Sequence, residues 1–362
     1  MTGIAALALF AVVAAHVDAG PERHRFRELA MGCEVRIEIA AADAESAARA
    51  ARAGFDRIKQ LDEALSDYLP TGAVSRLKLV PGIPEAVGDD LSGALAISLR
   101  VAHATGGAFD ATCGAISSCW RAARATGVLP KTAALDAARE CSGFAHIRLL
   151  TAPSRIVVDC DGLSLDFGAV GKGLAASEAI RAISAAGIES ALVAVAGDIA
   201  ASAGPPRTPG WLVRIETGVK GDGGTTVLLV DSCISTCGDE SQSITVDGVR
   251  YSHVFDPRTG RALTRGVAAT VVAKSGAVAD ALSTALRVDP ERLLAKRSEI
   301  AAALGEFQAR VVEANEGSTT ARVETTPGFA ALTRVSPAPG SPPVPAATDP
   351  TRGPAASGSA GR

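Results

Sequence analysis

From residue 188 onward the chain breaks into short strand-like runs at 190–196, 211–216, 225–230, 243–251 and 267–273, separated by Gly, Pro and Asp. Strands this short and closely spaced pair as hairpins, whereas parallel partners need a crossover of a dozen or more residues between them. Asp247-Gly248, inside the fourth run, is the sharpest of these turn signals. The second half of the chain therefore argues for antiparallel pairing and against a long parallel sheet. The first half is mixed. A strand closes the stretch 26–39, and helical spacing of apolar residues follows from Asp43 to Leu65. Further helices are expected near 90–105, 112–125 and 132–141, then strands near 144–150, 155–159 and 163–167. A helix over 168–186 stops at Gly187, another covers 275–287, and Asp289-Pro290-Glu291 opens one more with Asp as cap and Pro at its first position. The reading is one α+β domain over 26–330, with no internal repeat.

At 362 residues and 47% hydrophobic, the chain has ample material for a core of that size. Its 36 basic and 39 acidic residues give a net charge of −3 with no extended basic run, which sets nucleic acid aside as a partner. Residues 1–19 carry an apolar run from Ile4 to Ala15 and small residues at Val17 and Ala19, the pattern of a signal peptide or N-terminal anchor, although no Lys or Arg precedes the run. The run is short for a membrane span. Residues 335–362 are rich in Pro, Ala and Gly and read as a disordered tail. Seven cysteines are an odd number, so at least one thiol is free, and Cys233 and Cys237 lack a nearby His at zinc-finger spacing. In an exported chain, a disulfide between two of the seven is open.

Five glycine-punctuated segments each hold a polar residue that turn chemistry does not require. In "LDFGAVGKG", 165–173, a strand runs into a helix start, where backbone N–H groups and the helix dipole favour phosphate and Lys172 sits in the first turn. Gly173 stands where a P-loop needs Ser or Thr, and 171–176 matches the dinucleotide fingerprint only loosely. In "AVADALSTAL", 277–286, Asp280 and Thr284 are one helical turn apart with Ser283 beside them, a set of hard oxygens suited to Mg²⁺ or Ca²⁺; a solvated polar face is the plainer alternative. "YSHVFDPRTG", 251–260, puts His253 at a strand end, where a neutral imidazole could take a proton or simply bond a turn carbonyl. "TGGAFDATCG", 105–114, offers Asp110 or Thr112 as a helix cap, and "AVAGD", 194–198, ends a strand in Gly197-Asp198.

These segments, in this order, resemble the ApbE family of FAD:protein FMN transferases over about residues 26–315. The resemblance rests on Met31-Gly32, Ser66-Asp67-Tyr68 and Gly107-Ala108-Phe109-Asp110. It continues through Asp166, Gly168, Lys172 and Gly173, then His253, Asp256, Pro257, Thr259 and Gly260, and last Ala279, Asp280, Ala281 and Thr284. It implies a single ApbE-like domain with mixed and antiparallel sheets flanked by helices. It implies an FAD site lined by Met31, Tyr68, Ala108, Phe109, Asp110, Asp166, Lys172 and Val254. Magnesium is implied at Asp280, Thr284 and the carbonyl of Ala169, with Ser283 nearby. The implied reaction moves FMN from FAD to a Thr or Ser hydroxyl of an acceptor protein and releases AMP; the charge such a transfer must neutralise assigns Lys172 to the phosphates, and His253 is the hypothesised base or positioning group for the acceptor hydroxyl. The implied setting is the cell envelope, in the periplasm or at the inner membrane facing it, with a redox protein as acceptor. The chain departs from the pattern at Ser283, where many relatives have Asp, at Ala196-Gly197-Asp198 for Gly-Gly-Asp, at Cys237-Gly238 for Ser-Gly, and at Leu174 for an aromatic. Other readings of the same pocket are an FAD carrier or an FAD pyrophosphatase, and the 171–176 fingerprint leaves a nicotinamide-dependent oxidoreductase as a different class.

Overall fold

The computed structural model describes residues 21–238, 243–314 and 319–333. The expected export segment 1–19 and the tail 335–362 lie outside the described residues.

An eight-stranded sheet runs in the order Glu22–Ala30, Cys33–Ala41, Ser190–Val195, Asp198–Ala201, Ser232–Cys237, Val267–Ala273, Phe307–Ala314 and Ala321–Thr325. Every neighbouring pair is antiparallel. The α+β expectation holds, and the side-chain alternation explains the layering. Ala191, Val193 and Val195 point into the main core with Val35, Ile37 and Ile39, while Leu192 and Ala194 point to the other face and pack with Trp211. The main core lies under the helices α1 (Ala44–Leu65), α2 (Asp89–Thr105), α5 (Gly171–Ala185) and α6 (Gly276–Val288); α3 (Gly114–Thr126) and α4 (Thr132–Glu140) form a smaller cluster around Trp120. The hairpin Trp211–Ile215 with Thr225–Leu229 covers the opposite face.

Two hairpin turns carry the chain to the same end of the sheet. Ala30 pairs with Cys33, so Met31 and Gly32 form a two-residue turn, with φ of 53° and 69°. Both central positions being left-handed is the type I′ geometry that matches strand twist. Val195 pairs with Asp198 across Ala196-Gly197, and Ala196 has φ 51°.

The helices α5 and α6 approach more closely than any side chain allows. A Cβ on Gly173 would lie 2.2 Å from the carbonyl oxygen of Gly276, and one on Gly276 would lie 2.0 Å from that of Gly173. Only two glycines permit this contact. It also makes α6 a central helix: every residue is buried except Thr284. The solvated polar face considered for 277–286 is therefore not what the fold contains.

Some local expectations change. Residues 163–167 form no strand; they run beside the segment before α3, with Gly114 N–H donating to Ser164 O and Asp166 N–H to Ala111 O. The fifth helix starts at Gly171 rather than 168, because Asp166 Oδ1 accepts the Gly168 N–H and a turn at Phe167 intervenes. Neither Asp110 nor Thr112 caps α3. Asp110 instead accepts from Thr112 N and Oγ1 and from Phe144 N, which ties the 105–112 bend to residue 144. Asp289 takes the expected N-cap position of the following helix, Pro290–Ala295, with Pro290 at its start, but its side chain makes no cap bond, since the carboxylate is taken by Arg258 and Arg292. Cys141 and Cys160 are disulfide-bonded, and the other five cysteines are free. Among the described residues no helix is long and apolar enough to cross a membrane.

Candidate functional site

One cavity of about 670 Å³ opens at the sheet end where the hairpin turns, the start of α5 and one face of α6 meet. Every site residue expected from sequence lines it: Met31, Tyr68, Ala108, Phe109, Asp110, Asp166, Ala169, Lys172, His253, Val254, Asp280, Ser283 and Thr284.

Its floor follows from the glycine crossing. With no side chain between them, the Asp280 carboxylate on α6 reaches the first turn of α5, where Oδ2 accepts the Gly173 N–H at 3.0 Å. First-turn N–H groups have no partner within their own helix, so a carboxylate here is held by both hydrogen bond and dipole. Lys172 Nζ donates to Gly168 O at 2.9 Å and lies 3.7 Å from Asp198 Oδ2. Burial, then the nearby charge of Asp198, pushes Asp280 up to about 7, with Lys172 opposing. Asp198 is likewise raised by burial against the pull of Lys172 and Ser235. Burial would lower Lys172, but Asp280 and Asp198 together hold it above its ordinary value. One ammonium thus serves two buried carboxylates, and the floor is short of positive charge.

Asp280, Thr284 and the Ala169 carbonyl offer one carboxylate, one hydroxyl and one carbonyl, the hard donors a Mg²⁺ or Ca²⁺ ion takes. Several helix hydroxyls elsewhere in the chain bond back to the preceding turn, as Ser98, Thr105, Ser118 and Ser177 do. The Thr284 hydroxyl makes no such bond among the described residues and opens onto the cavity. Six carboxylates, Asp62, Asp67, Asp110, Asp166, Asp198 and Asp280, line the cavity against Arg121, Arg124 and Lys172. This charge balance and the open hydroxyl fit a divalent cation. Among the described residues no three His, Cys, Asp or Glu side chains group into a metal site, so a cation here would complete its shell from outside the protein. Ser283 is differently engaged: its hydroxyl donates to the Asp280 carbonyl at 2.8 Å and lies 3.1 Å from Ser235 Oγ.

The walls are positioned by longer-range contacts. Tyr68 is 71% exposed, and the Arg121 guanidinium lies 4.8 Å from its ring centroid while bonding Asp67 at 2.5 Å. One face of that ring is backed and the other is available to a planar ligand. Met31 is fixed at its left-handed φ by its N–H bond to Asp62 Oδ2, 2.8 Å. His253 is half-buried at the edge of the cavity. Its loop is held by Trp120 Nε1 donating to Gly260 O at 2.8 Å, and by Arg258 bridging Asp256 and Asp289. Arg292 then ties Asp289 to the carbonyl of Thr105 at the end of α2.

Sequence reasoning missed Arg121 and Arg124 as members of the site, and it singled out the segments of Asp67 and Asp198 without giving either residue a role there. For the arginines a signal existed: Ser117, Arg121 and Arg124, spaced by four and three, form one face of α3 in line with Cys113 at its N-cap, and all four line the cavity. For Asp198 the turn at 196–197 hid the fact that its side chain points into the helical layer.

The ApbE family model matches residues 31–304. The FAD:protein FMN transferase of Salmonella typhimurium is 28% identical over 266 residues, covering 71% of this chain and 76% of that protein. The protein of the same description from Treponema pallidum is 31% identical over 279 residues, covering 71% and 76%. The apo crystal structure of the flavinyl transferase ApbE from Pseudomonas stutzeri superposes with a TM-score of 0.75 at 27% identity, over 86% of this chain and 97% of that one. The ApbE protein of Thermotoga maritima, 24% identical with a TM-score of 0.75, has the same fold.

Proposed function

The chain belongs to the ApbE family, and from that premise we propose that it is a Mg²⁺-dependent FAD:protein FMN transferase that moves FMN from FAD to a Thr or Ser hydroxyl of an acceptor protein and releases AMP. The observation that carries the proposal is the convergence of all the separately recognised segments on one cavity floored by Lys172, Asp198 and Asp280. Its volume, about 670 Å³, lies in the range of pockets that enclose organic ligands.

Transfer of this kind needs the diphosphate charge neutralised and the attacking oxygen aligned with the leaving group. Asp280, Thr284 and the Ala169 carbonyl would hold the cation, which when bound supplies positive charge to the diphosphate oxygens. Lys172 and the first-turn N–H groups of α5 add a fixed positive field from the protein side. Tyr68, Phe109 and Met31 would confine ring systems of the dinucleotide, with Ala108, Asp110, Asp166 and Val254 completing that wall. His253 would accept the hydroxyl proton as the acceptor oxygen bonds to the flavin-side phosphorus. The bond from that phosphorus to the bridging oxygen breaks, and AMP leaves with the oxygen. Ser283 supports Asp280 through its carbonyl more readily than it serves as a ligand, given its bonds to Asp280 O and Ser235. The same reading puts the chain in the cell envelope, exported or anchored by residues 1–19, with a redox protein as acceptor.

Incubation of the full chain with FAD, Mg²⁺ and an acceptor domain tests this. Transfer yields a fluorescent acceptor whose mass has risen by one FMN, with AMP in equal amount. Free FMN without labelled acceptor would make the chain a pyrophosphatase, and intact FAD in the cavity would make it a carrier; either result refutes transfer.

A further inference from the structure

Of the three cations lining the cavity, two are already engaged. Lys172 lies against Asp198 and donates to Gly168 O; Arg121 bonds Asp67 and stacks on Tyr68. Arg124 differs. It is half-buried in the cavity wall, one turn beyond Arg121 on the same face of α3, and makes no hydrogen bond, ion pair or ring contact among the described residues. Its position in the last turn of α3 is favourable to the helix dipole. The dipole, however, is satisfied equally well by a side chain in water, and Arg124 donates to none of the end carbonyls. Burial, with repulsion from Arg121 adding to it, pulls its pKa below the ordinary arginine value, as expected for a guanidinium partly stripped of water.

We infer that Arg124 is an anion-binding side chain of this site and takes a phosphate oxygen of the bound dinucleotide. The inference rests on the proposed use of FAD and goes beyond it by adding a contact from α3. The chemistry favours phosphate. A guanidinium presents a planar fork of donors that matches phosphate oxygens bidentately. A diphosphate entering a cavity with six carboxylates and three cations meets net repulsion from the protein, and Arg124 is the cation there with none of its donors committed among the described residues. Asp166, whose charge attracts Arg124, accepts from Gly168 N through Oδ1 and lies 4.0 Å from Arg121 through Oδ2, and it forms no ion pair with Arg124 among the described residues.

The test compares Arg124→Gln and Arg124→Lys with the unaltered full chain, titrating FAD and riboflavin in the presence of Mg²⁺ and following flavin fluorescence. Riboflavin carries the ring system without phosphate. Loss of a charged hydrogen bond to phosphate raises the FAD Kd of Arg124→Gln by roughly tenfold or more. Riboflavin binding stays within about twofold, the lysine variant falls between, and the salt dependence of FAD binding becomes shallower in the glutamine variant. An unchanged FAD Kd overturns the assignment, including the case in which only the KM for the acceptor rises, which would give Arg124 to a carboxylate of the acceptor. Equal weakening of FAD and riboflavin also overturns it, as a packing effect. Failure of the unaltered chain to bind FAD at all is a separate result and refutes the functional proposal instead.

Discussion

Replacing Gly173 by Ala is the sharpest test of how the site is built, because helix propensity and tertiary packing predict opposite signs. In a helix, Gly→Ala is worth about 1 kcal/mol in favour of Ala. Here the new Cβ would sit 2.2 Å from Gly276 O and 2.7 Å from Asp280 Cβ. Ordinary contact needs more than 3 Å, so α5 and α6 must separate by roughly 1 Å, and neither contact atom is the free end of a side chain. Overpacking of this kind costs about 1–3 kcal/mol. The same displacement stretches the 3.0 Å bond from Gly173 N–H to Asp280, and a hydrogen bond to a charged group is worth about 1.5–3 kcal/mol. Subtracting the propensity gain leaves a net loss of about 1.5–5 kcal/mol. With an unfolding entropy of about 2.1 cal/mol/K per residue over roughly 300 ordered residues, the melting temperature falls by about 2–8 °C. Because Asp280 moves away from the start of α5, the Mg²⁺-dependent FAD binding proposed above is expected to fall as well. Calorimetric melts and FAD titrations with and without chelator measure both. A Gly173→Ala protein that melts higher than the original and binds FAD as before would refute the crossing as the basis of the site.

Three further outcomes follow from local geometry. Ala196→Gly relieves a left-handed alanine at the first central position of its hairpin, so stability in urea rises by up to about 1 kcal/mol; a loss would mean that Ala196 is not strained. In metal-free protein the native state keeps the Asp280 proton up to about pH 7, whereas an unfolded Asp loses it near 3.8, so stability falls as pH rises through that window. Asp280→Asn should make that fall shallower in chelator-treated melts between pH 4 and pH 8, and an unchanged slope would assign the proton elsewhere. Asp289→Ala releases Arg258 and Arg292, loosens the loop that carries His253, and lowers kcat by about tenfold while leaving the FAD Kd within twofold; a matching loss in Kd would show that the whole cavity had shifted.

What could be read from sequence depended on whether the cause was local. Hairpin turns, helix stops and the alternating strands of the sheet are set by neighbours in the chain, and the runs at 190–196, 211–216, 225–230 and 267–273 fall within a residue of the observed strands. The run at 163–167 failed because its alternation serves a segment lying beside residues 111–114 without continuous pairing. Asp110 and Asp289 look like side-chain caps from spacing alone, and although Asp289 does hold an N-cap position, neither carboxylate bonds a helix start. Each instead joins elements more than thirty residues apart, to Phe144 and to Arg258 respectively, and no local pattern carries that information.

The site divides along the same line, and the division has a physical consequence. Asp280 and Thr284 could be paired from helical period alone, yet the reason they matter lies in Gly173 and Gly276, which sequence presents as two unrelated helix starts. The close crossing forces a carboxylate into the first turn of α5 beside Lys172, and Asp198 brings a second carboxylate to the same ammonium. Like charges in a buried floor raise each other's pKa until something positive arrives. The floor is therefore least stable in the state in which it holds no cation at neutral pH, and ligand binding and folding stability must rise together there. A cavity whose Mg²⁺-induced rise in melting temperature did not increase between pH 6 and pH 8 would contradict that coupling, however well its residues aligned with those of related proteins.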